Sequence, residues 1–155
     1  MEQICIGQWE IEFDRNKTIE YYKDIDTLEF GCTCRTCVNY CIAVKDFPNE
    51  VTRFFDSLGL DLIKPTEVYG CMYENGKVEY GGFYHLVGSY ISGEDIWQGL
   101  SNGGSTFKFE LLAKIVEDYG IGFTKETVMV PNNFPMPVLQ MEIIFMIPWL
   151  IDEPY

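Results

Sequence analysis

Residues 66–90 read TEVYGCMYENGKVEYGGFYHLVGSY, two runs rich in β-branched and aromatic residues on either side of Asn75-Gly76. Asn-Gly suits the two positive φ angles of a type I′ turn, which joins two antiparallel strands through two residues. The segment therefore predicts a β-hairpin from about Thr66 to Tyr90, and with it an antiparallel sheet.

Three further segments extend this sheet. Residues 9–13 alternate apolar and acidic side chains, which indicates a half-buried strand, and the polar residues after them predict a turn into a second strand at 18–22. Residues 138–147 carry an apolar side chain at every second position, and Pro148 ends the run, so a long central strand is predicted there. Residues 107–119 fit a short strand followed by a helix.

A pair of helices is predicted between the first strands and the hairpin. Residues 36–46 have Thr36 as a candidate N-cap, and residues 48–58 begin with Pro48 and place apolar side chains at i, i+3, i+4 and i+7 before Gly59. The order of elements predicts an α+β fold: one domain over residues 1–155, with a largely antiparallel sheet and the helical pair packed on one side.

The charge of the chain limits its partners. Eleven basic and 24 acidic residues give a net charge of -13, and such a surface repels both phosphate backbones and anionic lipid. We therefore expect no nucleic-acid binding. The acidic excess is explained by solubility alone, or it serves a basic protein partner or divalent cations. No apolar run approaches the roughly 20 residues that span a bilayer, and no signal peptide is evident. These features predict a cytoplasmic protein that does not bind membranes.

A cluster of cysteines is the most distinctive chemical feature. Cys32, Cys34, Cys37 and Cys41 place four thiols within ten residues. In a reducing compartment, closely spaced thiols are more typical of metal ligands than of disulfides, and zinc is the candidate ion. The first two cysteines would approach the ion from a loop, and the other two from consecutive turns of the helix.

Three other interpretations of the cluster stay open. Cys34 and Cys37 form a C-x-x-C pair at a helix start, where the neighbouring Arg35 favours a thiolate, so a redox dithiol is possible. Iron–sulfur ligation also uses closely spaced cysteines, although its usual spacing differs from the one here. Finally, Cys37 and Cys41 fit the core-facing stripe of the helix as small apolar side chains.

His85 is the only histidine and is a further candidate ligand or base. Counting outwards from a two-residue turn at Asn75-Gly76 places Cys71 on one face of the hairpin and His85 on the other, together with Val68. The two side chains would then not meet unless a bulge at Gly81-Gly82 reversed the alternation.

Three separated motifs carry a resemblance: residues 32–40 (CTCRTCVNY), residues 80–85 (YGGFYH) and residues 148–150 (PWL). In these motifs the chain resembles a group of small bacterial proteins with a C-x-C-x-x-C-x-N-[FY] cluster, a group that brings no activity with it. The resemblance implies that Asn39 belongs to one site with Cys32, Cys34 and Cys37, and it leaves Cys41 outside the shared pattern.

No paired carboxylates or other catalytic constellation stand out, so the sequence favours a non-catalytic interaction module stabilised by a metal. Two alternatives follow from other features. The negative charge also suits an inhibitor or immunity-type protein that binds a basic protein. The pair Cys34 and Cys37 would instead serve a thiol-dependent redox enzyme.

Overall fold

The computed structural model describes all 155 residues and contains nine strands, four α-helices and two short 3-10 helices. The strands are β1 (Glu2–Ile6), β2 (Trp9–Phe13), β3 (Glu67–Glu74), β4 (Lys77–Ser92), β5 (Trp97–Gly99), β6 (Ser105–Phe107), β7 (Ala113–Val116), β8 (Tyr119–Thr124) and β9 (Val138–Pro148). The helices are α1 (Arg15–Lys23), α2 (Leu28–Gly31), α3 (Arg35–Ala43) and α4 (Asn49–Leu58), with 3-10 turns at Val44–Asp46 and Phe109–Leu111. None of the helices has both the length and the apolar character needed to span a membrane.

Seven of the strands form one antiparallel sheet in the order β1-β2-β4-β9-β8-β7, with β3 also paired to β4. The remaining two, β5 and β6, pair with each other. The predicted hairpin is confirmed as β3–β4, and its turn residues Asn75 and Gly76 have φ angles of 52° and 78°. The predicted long strand is confirmed as β9, which lies between β4 and β8. The α+β fold is thus confirmed.

The predicted helical pair is also confirmed, as α3 with its 3-10 extension and as α4. Both helices pack against the same face of the sheet. Phe55 of α4 lies 5.0 Å from Tyr84 and 6.2 Å from Phe145 between ring centroids, and Tyr40 of α3 lies 5.6 Å from Tyr80. Burying such a side chain stabilises the fold by about 1.5–3 kcal/mol relative to leaving it exposed. This aromatic layer forms the centre of the core.

Two sequence predictions were wrong. The segment 18–22 belongs to helix α1, because Asp14 caps the helix by accepting a 3.0 Å hydrogen bond from the Lys17 amide, and Thr18 and Tyr22 then fall on one buried face. The N-terminal hairpin consists instead of β1 and β2. Residues 107–119 contain no α-helix, since a 3-10 turn is followed directly by the hairpin of β7 and β8.

We predict that Gly82→Ala lowers the free energy of unfolding by about 1–3 kcal/mol, the usual cost of overpacking. A Cβ at this position would collide with the Glu67 carbonyl oxygen, so the backbones of β3 and β4 would have to separate. Chemical denaturation followed by circular dichroism measures the change. Gly99→Ala is the matched control because no atom lies within 4 Å of its added Cβ. Equal losses in the two variants would contradict this account of β3–β4 packing.

Candidate metal centre

The cysteine cluster lies where α2 ends and α3 begins. Cys32 is the C-cap of the one-turn helix α2, and Cys34 is the N-cap of α3, where its sulfur accepts a 3.5 Å hydrogen bond from the Cys37 amide. Because an N-cap side chain folds back over the first turn, the Cys34 sulfur is held close to Cys37. The local structure of the chain therefore gathers these thiols without help from distant residues.

The sulfur atoms of Cys32, Cys34 and Cys37 all lie within 4.8 Å of one another, and those of Cys32 and Cys34 are 3.3 Å apart. Three thiolates bound tetrahedrally at about 2.3 Å from one zinc ion would be about 3.8 Å apart. The Cys32–Cys34 separation of 3.3 Å is below this value and the 4.8 Å limit for the group is above it, so the three sulfur atoms lie close to the arrangement that one ion requires. This is the one group in the protein in which three or more His, Cys, Asp or Glu ligand atoms meet in this way.

The three thiols differ in their readiness to ionise. The pKa of Cys32 is lowered, chiefly by a hydrogen bond from the Cys34 backbone and then by the thiols of Cys37 and Cys34. The pKa of Cys37 is raised strongly, first by burial and then by the neighbouring sulfurs. Since thiolates are the metal-binding form, ion binding here would release protons, and most readily at high pH.

Cys41, predicted as a fourth ligand, lies outside this group of sulfurs. It occupies the next turn of α3, about 6 Å further along the helix axis than Cys37, while the loop cysteines come together only at the first turn. Its side chain is buried and burial raises its pKa, as expected of a thiol packed in a core. The structure thus assembles three of the four predicted sulfur ligands.

Asn39 is fully buried and joins three parts of the fold. Its Nδ2 donates to the Pro148 carbonyl oxygen at 3.0 Å and to the Tyr80 hydroxyl at 3.2 Å, while its Oδ1 accepts from the Leu150 amide at 2.6 Å. With both ends of its amide engaged, Asn39 is a structural residue beside the cysteines. The three motifs of the sequence resemblance therefore contact one another through this side chain.

His85 lies on the opposite face of the sheet from α3. Its Nδ1 is 3.1 Å from the Thr66 hydroxyl, and its Nε2 is 3.2 Å from Oε1 of Gln140. Cys71 does not approach it. The β3–β4 register shifts at Cys71, so the alternation predicted by counting from the turn does not extend past this residue, and Val68 faces away from His85. His85 and the cysteine cluster do not share a site.

Sequence reasoning missed a second polar site around His85. The Val128 amide donates to Oε1 of Gln140 at 2.8 Å, which fixes the orientation of this amide, and its Nε2 therefore donates to Glu142 at 2.6 Å. It follows that His85 Nε2 carries a proton. Gln140 and Glu142 are both 3% exposed. The signal in the sequence was the presence of two polar residues in an otherwise apolar central strand.

No family model, curated protein or solved structure matches the chain. The resemblance to bacterial proteins with this cysteine cluster therefore stays a prediction. The chemistry assigned to the site rests on its own geometry, which brings three sulfur atoms within 4.8 Å of one another.

We predict that iodoacetamide modifies Cys32 about 10-fold or more faster than Cys37, since only the thiolate reacts and burial keeps Cys37 protonated. A time course at pH 7.5, followed by peptide mass spectrometry, measures both rates in one sample. Cys5, exposed on β1, serves as the internal reference. If Cys37 reacted as fast as Cys5, the buried and protonated state assigned to Cys37 would be wrong.

A second prediction concerns Glu142, whose pKa is raised mainly by burial. The folded protein holds this proton more tightly than the unfolded chain, whose carboxyl has a pKa near 4.5. Stability from this group is therefore greatest below that value and is lost as pH rises through the raised pKa. We expect Glu142→Gln to raise Tm at pH 7, with the gain shrinking towards pH 4. A gain that grew on acidification would contradict the assignment.

Proposed function

We propose that this protein is a non-catalytic, cytoplasmic interaction module whose α2–α3 connection binds a thiophilic metal ion, zinc being the candidate, through Cys32, Cys34 and Cys37. The observation that carries the proposal is the convergence of three sulfur atoms within 4.8 Å. An ion bound there would tie the end of α2 to the first turn of α3, and part of its binding free energy would stabilise the fold.

The same geometry disfavours the thiol chemistries considered above. A redox pair of Cys34 and Cys37 needs an accessible thiolate, whereas Cys37 is buried and its pKa is raised. The Cys34 sulfur also lies 3.3 Å from the sulfur of Cys32, so it is not reserved for a pair with Cys37. An iron–sulfur cluster is usually bound by four cysteines, and three converge here. Metal binding by three thiolates is the chemistry that these contacts support best.

Three protein ligands leave one position of a tetrahedral ion open. Structural zinc sites are normally closed by four protein ligands, so the fourth ligand here would be water or a side chain of a partner. Exposed apolar side chains flank the cysteines: Phe30, which is 76% exposed, precedes Cys32, and Val38 and Ile42 lie on the outer face of α3. Apolar side chains around a metal site suit a surface that contacts another protein.

The charge of the protein suggests the character of that partner. Five of the 24 acidic side chains lie within 4.0 Å of a basic side chain, so 19 have no ion-pair partner. An unpaired negative surface accelerates association with a basic protein. An inhibitor or immunity-type role towards a basic protein is a second candidate that rests on the same charge.

Cys34→Ser gives the sharpest test of the metal site. Serine is an effective N-cap, so the variant keeps the cap of α3 but lacks one thiolate. We expect its Tm without metal to equal or exceed that of the wild type. Zinc affinity, measured by competition with a chromophoric chelator, should fall about 100-fold or more, beyond the effect of losing an outer-shell contact. The wild-type protein should bind about one equivalent.

Cys5→Ser is the matched control, because Cys5 lies on β1 outside the cluster. Its zinc affinity should equal that of the wild type. Cys41→Ala separates the two views of the fourth cysteine: unchanged affinity agrees with a three-sulfur site, and a loss as large as that of Cys34→Ser shows that Cys41 is a ligand. The metal proposal fails if the wild type binds no zinc, or if the Cys5 and Cys34 variants bind it equally well.

A further inference from the structure

Cys32 and Cys34 form a close pair of thiols within the cysteine cluster. Their sulfur atoms are 3.3 Å apart, and the Cys32 thiol donates its hydrogen to the Cys34 sulfur. The Cys34 sulfur is held in this place as the N-cap of α3. Two thiols in contact are also the arrangement from which a disulfide forms, with a bond about 2.0 Å long. The pair is therefore placed for a covalent reaction as well as for metal binding.

Both members of this pair are open to solvent. Cys34 is exposed and Cys32 is half-buried. Thr33, the residue between them, is exposed as well. The three residues connect the end of α2 with the start of α3 and belong to neither helix nor strand. A small oxidant in solution can therefore reach both sulfur atoms.

Cys37 is held differently. It belongs to the first turn of α3, is 5% exposed and packs in the hydrophobic core. An oxidant in solution does not reach its sulfur, although that atom lies within 4.8 Å of the other two. The structure therefore favours a dithiol different from the C-x-x-C pair, Cys34 with Cys37, that the sequence alone singles out.

We propose that a peroxide such as hydrogen peroxide converts Cys32 and Cys34 into a reversible disulfide, and that this modification releases the metal ion. The release of the ion rests on the proposed function, whereas the formation of the disulfide does not. Only a thiolate is an effective metal ligand, so the oxidised protein keeps Cys37 as the one remaining ligand of the three.

The reaction has two steps and consumes one peroxide molecule for each disulfide. The first thiol attacks a peroxide oxygen and the O–O bond breaks, which gives a sulfenic acid, S–OH, and one molecule of water. The second thiol attacks the sulfenic sulfur, the S–S bond forms, and the hydroxyl group leaves with the thiol proton as a second water. The two sulfur atoms lose two electrons, and the peroxide gains them. A reduced thiol reverses the reaction by thiol–disulfide exchange.

The contact between the two sulfur atoms decides which product forms. A sulfenic acid without a neighbouring thiol is oxidised further, to sulfinic and sulfonic acids. Here the second thiol is already in contact, so its attack is intramolecular and outpaces further oxidation. Cys5 is exposed on β1 and lies outside the cluster, so it is the comparison for a thiol without this neighbour.

Peptide mass spectrometry of the metal-free protein tests the disulfide directly. Trypsin cleaves after Lys23, Arg35 and Lys45, so peptide 24–35 contains Cys32 and Cys34, and peptide 36–45 contains Cys37. After treatment with hydrogen peroxide and alkylation of the remaining thiols, we expect peptide 24–35 to be lighter by two hydrogen atoms than the unmodified peptide. Peptide 36–45 should be alkylated at Cys37. Dithiothreitol should restore the thiols of peptide 24–35.

Dimedone, which traps sulfenic acids, gives a second readout. In the wild-type protein we expect an adduct on Cys5 and little on Cys34, because the Cys32 thiol consumes the sulfenic acid. Cys32→Ser removes this thiol, so the adduct on Cys34 should increase about 10-fold or more. Cys71→Ser is the matched control, because Cys71 is exposed and lies outside the cluster. It should form the disulfide and give the same adducts as the wild type.

Zinc-loaded protein tests the release of the ion. With a chromophoric chelator present, hydrogen peroxide should release about one equivalent of zinc as the disulfide forms, and dithiothreitol should restore zinc binding. If the disulfide forms and zinc stays bound, the release of the ion is overturned. If the disulfide forms in a protein that binds no zinc, the metal proposal fails and the modification site is upheld.

Two results would overturn the disulfide itself. In the first, peptide 24–35 stays reduced under conditions that oxidise Cys5. In the second, a disulfide joins peptide 24–35 to peptide 36–45, which would show that Cys37 is the reacting partner. Zinc binding to the reduced protein would be unaffected by either result, so the modification site can fail while the metal proposal holds.

Discussion

The pairing of β4 with β9 is the constraint on which the other features depend. Eleven consecutive residue pairs, from Lys77 with Pro148 to Val87 with Val138, join the two strands without a break. Every other strand of the main sheet attaches to this ladder directly or through one neighbour. Successive side chains of a strand point to opposite faces of a sheet. The ladder therefore directs one set of side chains towards the helices and the other set towards the opposite face. A shift of one residue in the pairing of β4 with β9 would exchange the two sets of side chains. Both the core and the polar groups on the opposite face would then be lost.

Local signals made much of this fold predictable. The Asn75-Gly76 turn, the apolar stripe of α4 and the alternation of β9 each depend on a few neighbouring residues, so the sequence alone could show them. The prediction for residues 18–22 failed because Thr18 and Tyr22, four residues apart, lie on the same face of both a strand and a helix. The Asp14 cap decides in favour of the helix. A bulge at Gly81-Gly82 was the condition for reversing the alternation of the hairpin; the register shifts at Cys71 of β3 instead, and Gly82 allows close approach of the neighbouring strand.

The candidate site was predictable in part for the same reason. The convergence of Cys32, Cys34 and Cys37 follows from a loop that enters a helix through an N-cap, which is a local property. The exclusion of Cys41 depends on which turn of α3 the loop reaches, and the structural role of Asn39 depends on residues more than a hundred positions away. The buried polar set around Glu142 joins four segments of the chain, at Thr66, His85, Val128 and β9, and had no local signature beyond two polar residues in β9.

The central position of β9 also bears on how the protein is made. This strand is synthesised after the eight others, yet it must insert between β4 and β8. Until then, the apolar edges of β4 and β8 that pair with β9 have no hydrogen-bonding partner. The residue pairs that fill this gap are far apart in sequence, which slows folding. An exposed edge of this kind also pairs readily with other chains. Before β9 is in place, the open edges of β4 and β8 therefore favour pairing with other chains over the native sheet.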